Sequence, residues 1–440
     1  MGYGHIFFLS PPFYSHFMPL AALAKSFKKM GIKVTMGCSI EFKEAVLSAH
    51  LEFYEINIST NKNTGTASDT EQPESEKMRL NEFFEATKAG AIETLITQSN
   101  HRKEDMLADP QGLMAAIKRI DERVKVDLWV VDVLSYGVTL SLHCLGLPYV
   151  TFCPPHPNTI PKENENFGVP KDWPSSIEVD PEKLRKLNEI SVQTQQQFTD
   201  IFNAVIFSHH SRPQRIENAF RLNSEQAIIY NYFDFDQVEG LSVKPLHIYI
   251  GHSFEEEPLS RSWLEKIENA NQRKILITLG TFLSNRIDVL TQLITACQEF
   301  DPGAFIVVSA GSNAKNLKPY ESSKVTICEF VPQKALMPFM DIVIHHGGNN
   351  TFTETVYYGK PMIILPFSSD QFSIAFDAES NGMAIVLDPN RLSEMIIVDA
   401  LGEVLKLDKK KLLRWSRFSK ERGPDYAAKQ ILDSFAVIKG

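Results

Sequence analysis

The sequence predicts an α/β protein made of two Rossmann-like halves, and three observations carry that reading. Short apolar runs of strand length alternate with helix-period patterns along the whole chain, as stacked βαβ units and parallel sheets do. The rhythm is interrupted over the polar stretch 251–271, which holds Glu255, Glu256, Glu257 and Pro258, and then restarts. The length of 440 residues suits two or three domains, and 43% hydrophobic, 10% aromatic and 22% charged residues suit ordinary globular cores. The halves are read as residues 1–250 and 272–409, with 251–271 as an interdomain linker and 410–440 as C-terminal helices.

In the first half, strands are expected at 5–10, 32–38, 51–56, 128–132, 149–153, 204–208 and 227–230. Leu20, Leu23, Ala24 and Phe27 fall at i, i+3, i+4 and i+7 behind Pro19, so a helix is expected to start near Pro19. Residues 57–77 have few large apolar side chains and read as a mobile loop. In the second half, strands are expected at 274–279, 305–309, 325–330, 341–345, 362–366 and 383–387.

Composition excludes several functions. Lys and Arg number 45 against 54 Asp and Glu, a net charge of −9, and no basic run stands out, so nucleic acid is not an expected partner. The five cysteines Cys38, Cys144, Cys153, Cys297 and Cys328 show no CxxC spacing and read as small buried hydrophobes in a reducing compartment. There is no basic leader and no run of about 20 apolar residues, so a cytoplasmic protein without a transmembrane segment is expected.

The most informative stretch is 330–371, FVPQKALMPFMDIVIHHGGNNTFTETVYYGKPMIILPFSSDQ. A strand there ends in His346, Gly347, Gly348, Asn349, Asn350 and Thr351, and a helical pattern follows. Glycines between a strand and a helix N-terminus let backbone N–H groups approach an anion, which the helix dipole also favours. Taken alone, the glycines serve a turn equally well, and Thr351 with Glu354 fits a capping box that needs no ligand. Their combination with a histidine at the strand end and Asp370 and Gln371 after the next strand points to a phosphate-bearing ligand.

With these residues the chain resembles the nucleotide-sugar-dependent glycosyltransferases of the GT-B fold, which include plant, animal UDP-glucuronosyl and bacterial macrolide enzymes. That family reads PQ, then H-x-G-x-N-S/T-x-x-E, then P-x-x-x-DQ. Pro332, Gln333, His346, Gly348, Asn350, Thr351, Glu354, Pro366, Asp370 and Gln371 stand at matching places. The resemblance implies two Rossmann-like domains facing across a cleft, with the nucleotide sugar on the second. Phe330, Val331, Pro332 and Gln333 would line the base, and plant members carry tryptophan where Phe330 stands. His346 and the Gly348, Asn349, Asn350 and Thr351 turn would hold the diphosphate, Glu354 the ribose, and Asp370 and Gln371 the sugar hydroxyls. Gly280 and Thr281 resemble the turn that approaches the nucleotide after the first strand of that domain.

The opening SPPFYSHFMPLAALAKSFKKMGIKVT resembles the family's first strand, turn and helix, whose H-x-x-P carries the catalytic base, here His16 with Pro19. Beside a helix N-terminus the dipole favours the neutral, base-competent ring. The segment KVDLWVVDVLSYGVTLSLHCLGLPYVTF resembles the one supplying the base's carboxylate partner, which matches Asp132. Asp127 competes, but it begins the strand, and ligands of open α/β sheets gather at the carboxyl ends. Asp234 and Asp236 form a D-x-D read as chance, no metal or other cofactor is expected, His345 is read as structural, and His209 and His210 follow an expected strand and could line the cleft. His156 is a candidate to touch acceptor, and Phe13, Tyr14, Phe17, Phe83, Phe84 and Phe152 are candidate walls of an apolar acceptor pocket.

The expected function is an inverting, metal-independent transfer of a sugar, glucose by preference, from a UDP- or TDP-sugar to a hydroxyl of a lipophilic natural-product-like acceptor. The rival readings are a same-fold sugar-nucleotide epimerase or hydrolase and a non-catalytic partner protein that retains the fold. Neither requires a base at the first βα turn, which is where His16 stands.

Overall fold

The computed structural model describes residues 4–59, 63, 74–105, 109–209, 214–239, 244–268 and 272–436. Two parallel sheets organise them. The first contains β1 (His5–Leu9), β2 (Lys33–Cys38), β3 (Glu52–Glu55), β4 (Leu128–Asp132), β5 (Tyr149–Cys153), β6 (Ala227–Tyr230) and β7 (Leu246–Tyr249), in the order β3-β2-β1-β4-β5-β6-β7. The second contains β8 (Lys274–Thr278), β9 (Phe305–Ser309), β10 (Val325–Cys328), β11 (Ile342–His345), β12 (Met362–Ile364) and β13 (Ala384–Val386), in the order β10-β9-β8-β11-β12-β13. Strand order reverses between β1 and β4 and again between β8 and β11, and a crevice opens beyond the carboxyl ends of the strands at each reversal.

Inner strands such as β1, β4 and β5 are buried along their whole length because helices cover both faces of the sheet. Ile6, Phe8, Val130, Val150 and Phe152 pack with Leu20, Leu23 and Phe27 of the Tyr14–Lys29 helix on one face of the first sheet. Ile275, Ile277, Ile306, Val308 and Ile344 pack with Leu290, Leu293 and Leu401 in the second. A third cluster joins the halves, with Tyr232 and Phe233 meeting Phe352, Val356, Ile374 and Trp415.

Two sequence expectations are corrected. Residues 204–208 are not a strand but the last turns of the Pro181–His209 helix, whose Leu187, Ser191, Thr194, Phe198, Phe202, Val205 and Ile206 repeat at helical spacing along one buried face. Within residues 251–271, whose described residues hold no strand, the Arg261–Glu268 helix forms, and its Ile267 packs under the second sheet with Leu276, Phe305 and Val343. The first helix begins at Tyr14, not near Pro19, which sits inside it. Strand β7 was not expected; its four residues pair with β6 along the sheet edge. Of the expected loop at 57–77, residues 60–62 and 64–73 lie outside the described residues, and a helix begins at Glu74.

The C-terminal helices Lys409–Glu421 and Gly423–Ala436 pack on different halves. Leu412 and Trp415 sit in the joining cluster, whereas Ala427, Ala428 and Ile431 return to the first sheet beside the Tyr14–Lys29 helix. Ile431 is fully buried there. Ile431→Ala should lower unfolding free energy by about 2–5 kcal/mol through lost burial and a cavity. Met395→Ser, at a side chain 72% exposed, should change it by no more than about 0.5 kcal/mol. Denaturant midpoints of the two variants check the contrast.

Candidate active site

Beyond β1 the chain turns through Ser10, Pro11, Pro12 and Phe13 and enters the Tyr14–Lys29 helix, so His16 lies in its first turn. Its Nδ1 is 2.9 Å from Oδ2 of Asp132, the last residue of the neighbouring strand β4. Asp132 is completely buried, and its Oδ1 accepts the Leu134 backbone N–H at 2.8 Å. A carboxylate accepts only, so His16 donates from Nδ1 and keeps Nε2 free to take a proton. Asp127 lies at the opposite end of the sheet, where its Oδ2 accepts the N–H groups of Gly4 and His5, each at 2.9 Å.

Pro19 has a role beyond the one expected of it. It has no N–H for the carbonyl of Ser15, four residues back, and that carbonyl instead accepts the Asn350 Nδ2–H at 2.9 Å. The proline thus leaves an acceptor one residue from His16 that the second half fills.

In the second half, Gly347 (φ +85°) leads from β11 to Gly348, which caps the Asn349–Tyr357 helix. His346 is held between two glycines. A Cβ on Gly280 would stand 2.8 Å from its Cε1, and one on Gly348 would overlap its Nε2. Burial lowers the His346 pKa to about 4, opposed by a backbone hydrogen bond at Thr278, so the ring is neutral near pH 7. His345 points the other way: it is fully buried, and its Nδ1 accepts the Gly347 N–H at 3.0 Å.

Glu354 does not close a capping box with Thr351, which lies inside the helix. Its Oε2 accepts Gln333 Nε2–H at 2.6 Å, and the same nitrogen is 3.2 Å from Thr351 Oγ1. Burial raises the Glu354 pKa to about 7, opposed by the Gln333 hydrogen bond and the charge of Lys334. Phe330, 54% exposed, lines the same cavity as Gln333 and Glu354.

Two cavities meet at His16. One, of about 900 Å³, lies between the halves and is lined by Gly280, Phe330, Val331, Pro332, Gln333, His346, Gly348, Asn349, Asn350, Thr351, Glu354, Asp370 and Gln371. The side chain of Thr281 lies outside the description. The other, of about 580 Å³, is set mainly in the first half and is lined by Phe13, Phe83, Tyr136, His156 and Phe167 among others. His16 and Asp370 belong to both walls.

Several expected contacts are engaged elsewhere. Asn349 Nδ2 donates to the carbonyls of Pro154 and Asn231, tying the halves together. Gln371 Oε1 accepts the N–H groups of Phe367 and Ser368, bracing the turn before its own helix. Asp370 Oδ2 accepts the His156 N–H at 2.9 Å and has its other oxygen to offer. The His156 ring joins Asp377 through Nε2 at 2.9 Å and accepts the Asn158 N–H on Nδ1, so it walls the cavity without a free nitrogen.

Of the aromatic candidates, Phe13 lines the smaller cavity, Tyr14 and Phe17 line the larger, and Phe83 lines both. Phe84 lines neither, and Phe152 is fully buried under the first sheet because its strand position points into the core. His209 ends a helix on the exposed surface, away from both cavities, and His210 lies outside the described residues. Asp234 accepts the N–H groups of Val238 and Glu239, and Asp236 pairs with Lys162 at 3.1 Å. Among the described residues no three His, Cys, Asp or Glu side chains gather around a metal position.

Sequence reasoning passed over the Ala91–Asp105 helix, whose Gln98, His101 and Arg102 share one face and line the smaller cavity. Gln98 also exchanges two hydrogen bonds with Ser369 across the cleft, at 2.8 and 3.1 Å. The available signal was polar side chains at i, i+3 and i+4 on a helix with otherwise weak patterning.

Two facing parallel sheets with a His–Asp pair on one and a glycine-cradled histidine on the other define a GT-B glycosyltransferase architecture. The chain belongs to the family described as UDP-glucoronosyl and UDP-glucosyl transferase, matched over residues 188–426, and residues 16–117 match the glycosyltransferase family 28 N-terminal domain. It is 26% identical over 161 residues to the uncharacterized UDP-glucosyltransferase YojK of Bacillus subtilis (strain 168), covering 36% of this chain and 39% of that one, so the match spans about two-fifths of that relative. With the NDP-glycosyltransferase YjiC of the same organism, identity is 21% over 436 residues, covering 97% and 96% of the two chains. The crystal structure of the glycotransferase of kitacinnamycin superposes with a TM-score of 0.68 at 19% identity, covering 98% of this chain and 99% of that one.

The raised pKa of Glu354 makes a stability prediction. Its folded-state value lies above the ordinary 4.5, so the associated stability is present below about pH 4.5 and is lost as pH rises through about 7. Glu354→Gln keeps an acceptor for Gln333 and removes the buried charge. The variant should therefore be more stable than the parent by roughly 1–3 kcal/mol at pH 8 and gain little near pH 4.5. Melting temperatures across that range measure the crossover.

Proposed function

We propose that this protein transfers a sugar, glucose by preference, from a UDP- or TDP-sugar to a hydroxyl of a lipophilic small molecule, with inversion and without a metal. The observation that carries the reading is His16: anchored through Nδ1 on a buried carboxylate, it stands where the two cavities meet. Residues 272–409 act as the donor domain and residues 1–250 as the acceptor domain. Residues 251–271 link them, and helices within 410–440 cross back. The family match supports a UDP-sugar, and the kitacinnamycin neighbour suits a natural-product-like acceptor.

The steps follow from the geometry. An acceptor hydroxyl in the smaller cavity gives its proton to His16 Nε2, and Asp132 stabilises the imidazolium that forms. The resulting nucleophile attacks the anomeric carbon from the side opposite the diphosphate, forming the C–O glycosidic bond as the C–O bond to phosphate breaks. Charge grows on the leaving diphosphate, which faces the free N–H groups at the start of the Asn349–Tyr357 helix and the neutral His346. Glu354 takes the ribose hydroxyls, Phe330 stacks on the base, and the free oxygen of Asp370 takes a sugar hydroxyl. The net charge of −9 and the absence of a long apolar helix among the described residues suit a cytoplasmic setting without nucleic acid.

Two tests follow. His16→Ala should lower the transfer rate by roughly 100- to 10,000-fold, the usual contribution of a general base, and leave nucleoside diphosphate affinity within about twofold. Steady-state kinetics with calorimetric donor binding separates the two, and an unchanged kcat would remove His16 from the mechanism. Wild-type enzyme in excess EDTA should convert α-linked UDP-glucose into a β-glucoside, read from the anomeric proton coupling in the product NMR spectrum. An α-product, or a metal requirement restored by Mg²⁺ or Mn²⁺, contradicts this mechanism.

A further inference from the structure

We propose that the acceptor is an acid: a hydroxylated, largely apolar molecule whose carboxylate is received by Arg102 and Tyr136 while its hydroxyl reaches His16. The proposal rests on the acceptor role given above to the smaller cavity and names what that cavity selects.

Arg102 projects from the Ala91–Asp105 helix into the cavity, and its guanidinium carbon lies 4.8 Å above the centre of the Phe167 ring. Among the described residues no carboxylate lies within salt-bridge distance of it. Other arginines in enclosed positions are neutralised. Arg286, 3% exposed, clasps Asp288 and also donates to the carbonyls of Thr87 and Pro389, Arg273 holds Asp301 at 2.8 Å, and Arg422 pairs with Glu239. Arg102 has a ring beneath it and a cavity before it. The backbone makes room for it, since a Cβ on Gly168, held at φ +77°, would fall 2.6 Å from Arg102 Nη1.

Tyr136 supplies an independent observation. It is 9% exposed, lines the same cavity, and its hydroxyl oxygen is buried without a hydrogen-bond partner. Phe167, Phe198 and Phe220 surround its ring edge-on, with centroids 6.4, 5.3 and 5.4 Å away. A buried hydroxyl without a partner is costly unless a ligand completes it, and the half-buried guanidinium of Arg102 turns an unpaired charge to the same cavity. Both flank Phe167, so one oxyanion can meet a phenol O–H donor and a planar cation over an apolar floor.

The remaining charges of the wall agree. Arg79 is engaged with a partner of its own, and His101 is paired with Glu82 at 2.8 Å, which leaves Arg102 as the cation turned to the cavity. Asp370, the acidic residue of the wall, is occupied on one oxygen by the His156 N–H and lies where the two cavities meet. Burial lowers the pKa of Arg102, and the charge of Asp370 opposes that shift without cancelling it.

The test uses the full chain and a panel of phenolic acids of increasing size, each paired with its methyl ester. Calorimetric binding without donor is measured first, then kcat/KM with UDP-glucose. Wild-type protein should favour at least one acid over its ester by roughly 10- to 100-fold, the range of a charge-assisted contact. Arg102→Gln should abolish the preference, Arg102→Lys should keep part of it, and Tyr136→Phe, which preserves the aromatic packing, should reduce it several-fold. Equal behaviour of acid and ester across the panel, including failure of every acid to bind, overturns the subsite, as does a preference that survives Arg102→Gln. Acid-selective binding with no sugar transfer would instead fail the glycosyltransferase reading and leave the subsite standing, whereas transfer to acid and ester alike would do the reverse.

Discussion

The chemistry of this molecule depends on one topological constraint, repeated twice. In a parallel sheet the chain can reverse its winding direction at one place, and there two βα turns diverge to opposite faces and leave a crevice. Between β1 and β4 that crevice holds His16 on one turn and Asp132 at the end of the adjacent strand, close enough for a 2.9 Å hydrogen bond. Between β8 and β11 it holds Gly280 on one turn and His346 on the other, close enough for the imidazole to fill the space a Cβ would take. Strand adjacency does the positioning in both cases, so residues 116 positions apart meet without a long loop to carry either one.

The two crevices face one another because polar contacts and a shared apolar cluster hold the halves together. Tyr232, Phe233, Phe352 and Trp415 supply the non-directional part, and the amides of Asn349 and Asn350 supply the direction. The Asn350 contact follows from a covalent property of proline. A helix whose sixth residue lacks an N–H must leave one carbonyl, that of Ser15, without its intrahelical donor. The second half provides that donor, so the helix bearing His16 is referenced directly to the helix facing the expected diphosphate.

What could be read in the sequence divides along the same line. Motif residues within one βα turn, such as His346, Gly348 and Asn350, were legible because their spacing is local. The jobs of Asn349 and Gln371 were not, since they depend on carbonyls and N–H groups supplied by other turns. Residues 204–208 show why a short window misleads: five residues with an apolar majority look like a strand until Phe198 and Phe202 upstream extend the helical period. Phe152 and Phe84 were chosen for aromaticity, yet a pocket wall is decided by which side of a strand or helix a residue faces, and that requires the packing. Arg102 and Tyr136 carried no motif at all; only the fold brings the two together beside Phe167.

Among the described residues, the larger cavity presents no unpaired lysine or arginine to a diphosphate. His346 is neutral through burial, and burial likewise raises the Glu354 pKa to about 7. Lys25 and Lys334 line the cavity, but each is paired with a linker carboxylate, Glu255 and Glu257 respectively. A site that met a diphosphate with fixed cations would hold donor and leaving group strongly both before and after transfer. Helix-terminal N–H groups and a neutral imidazole are dipoles, and their attraction grows with the charge the leaving group gains as the glycosidic bond forms. On the proposed reading, ion pairing of the lysines and burial of His346 therefore remove full positive charges that would bind ground state and transition state alike, and leave the oriented dipoles to make the distinction.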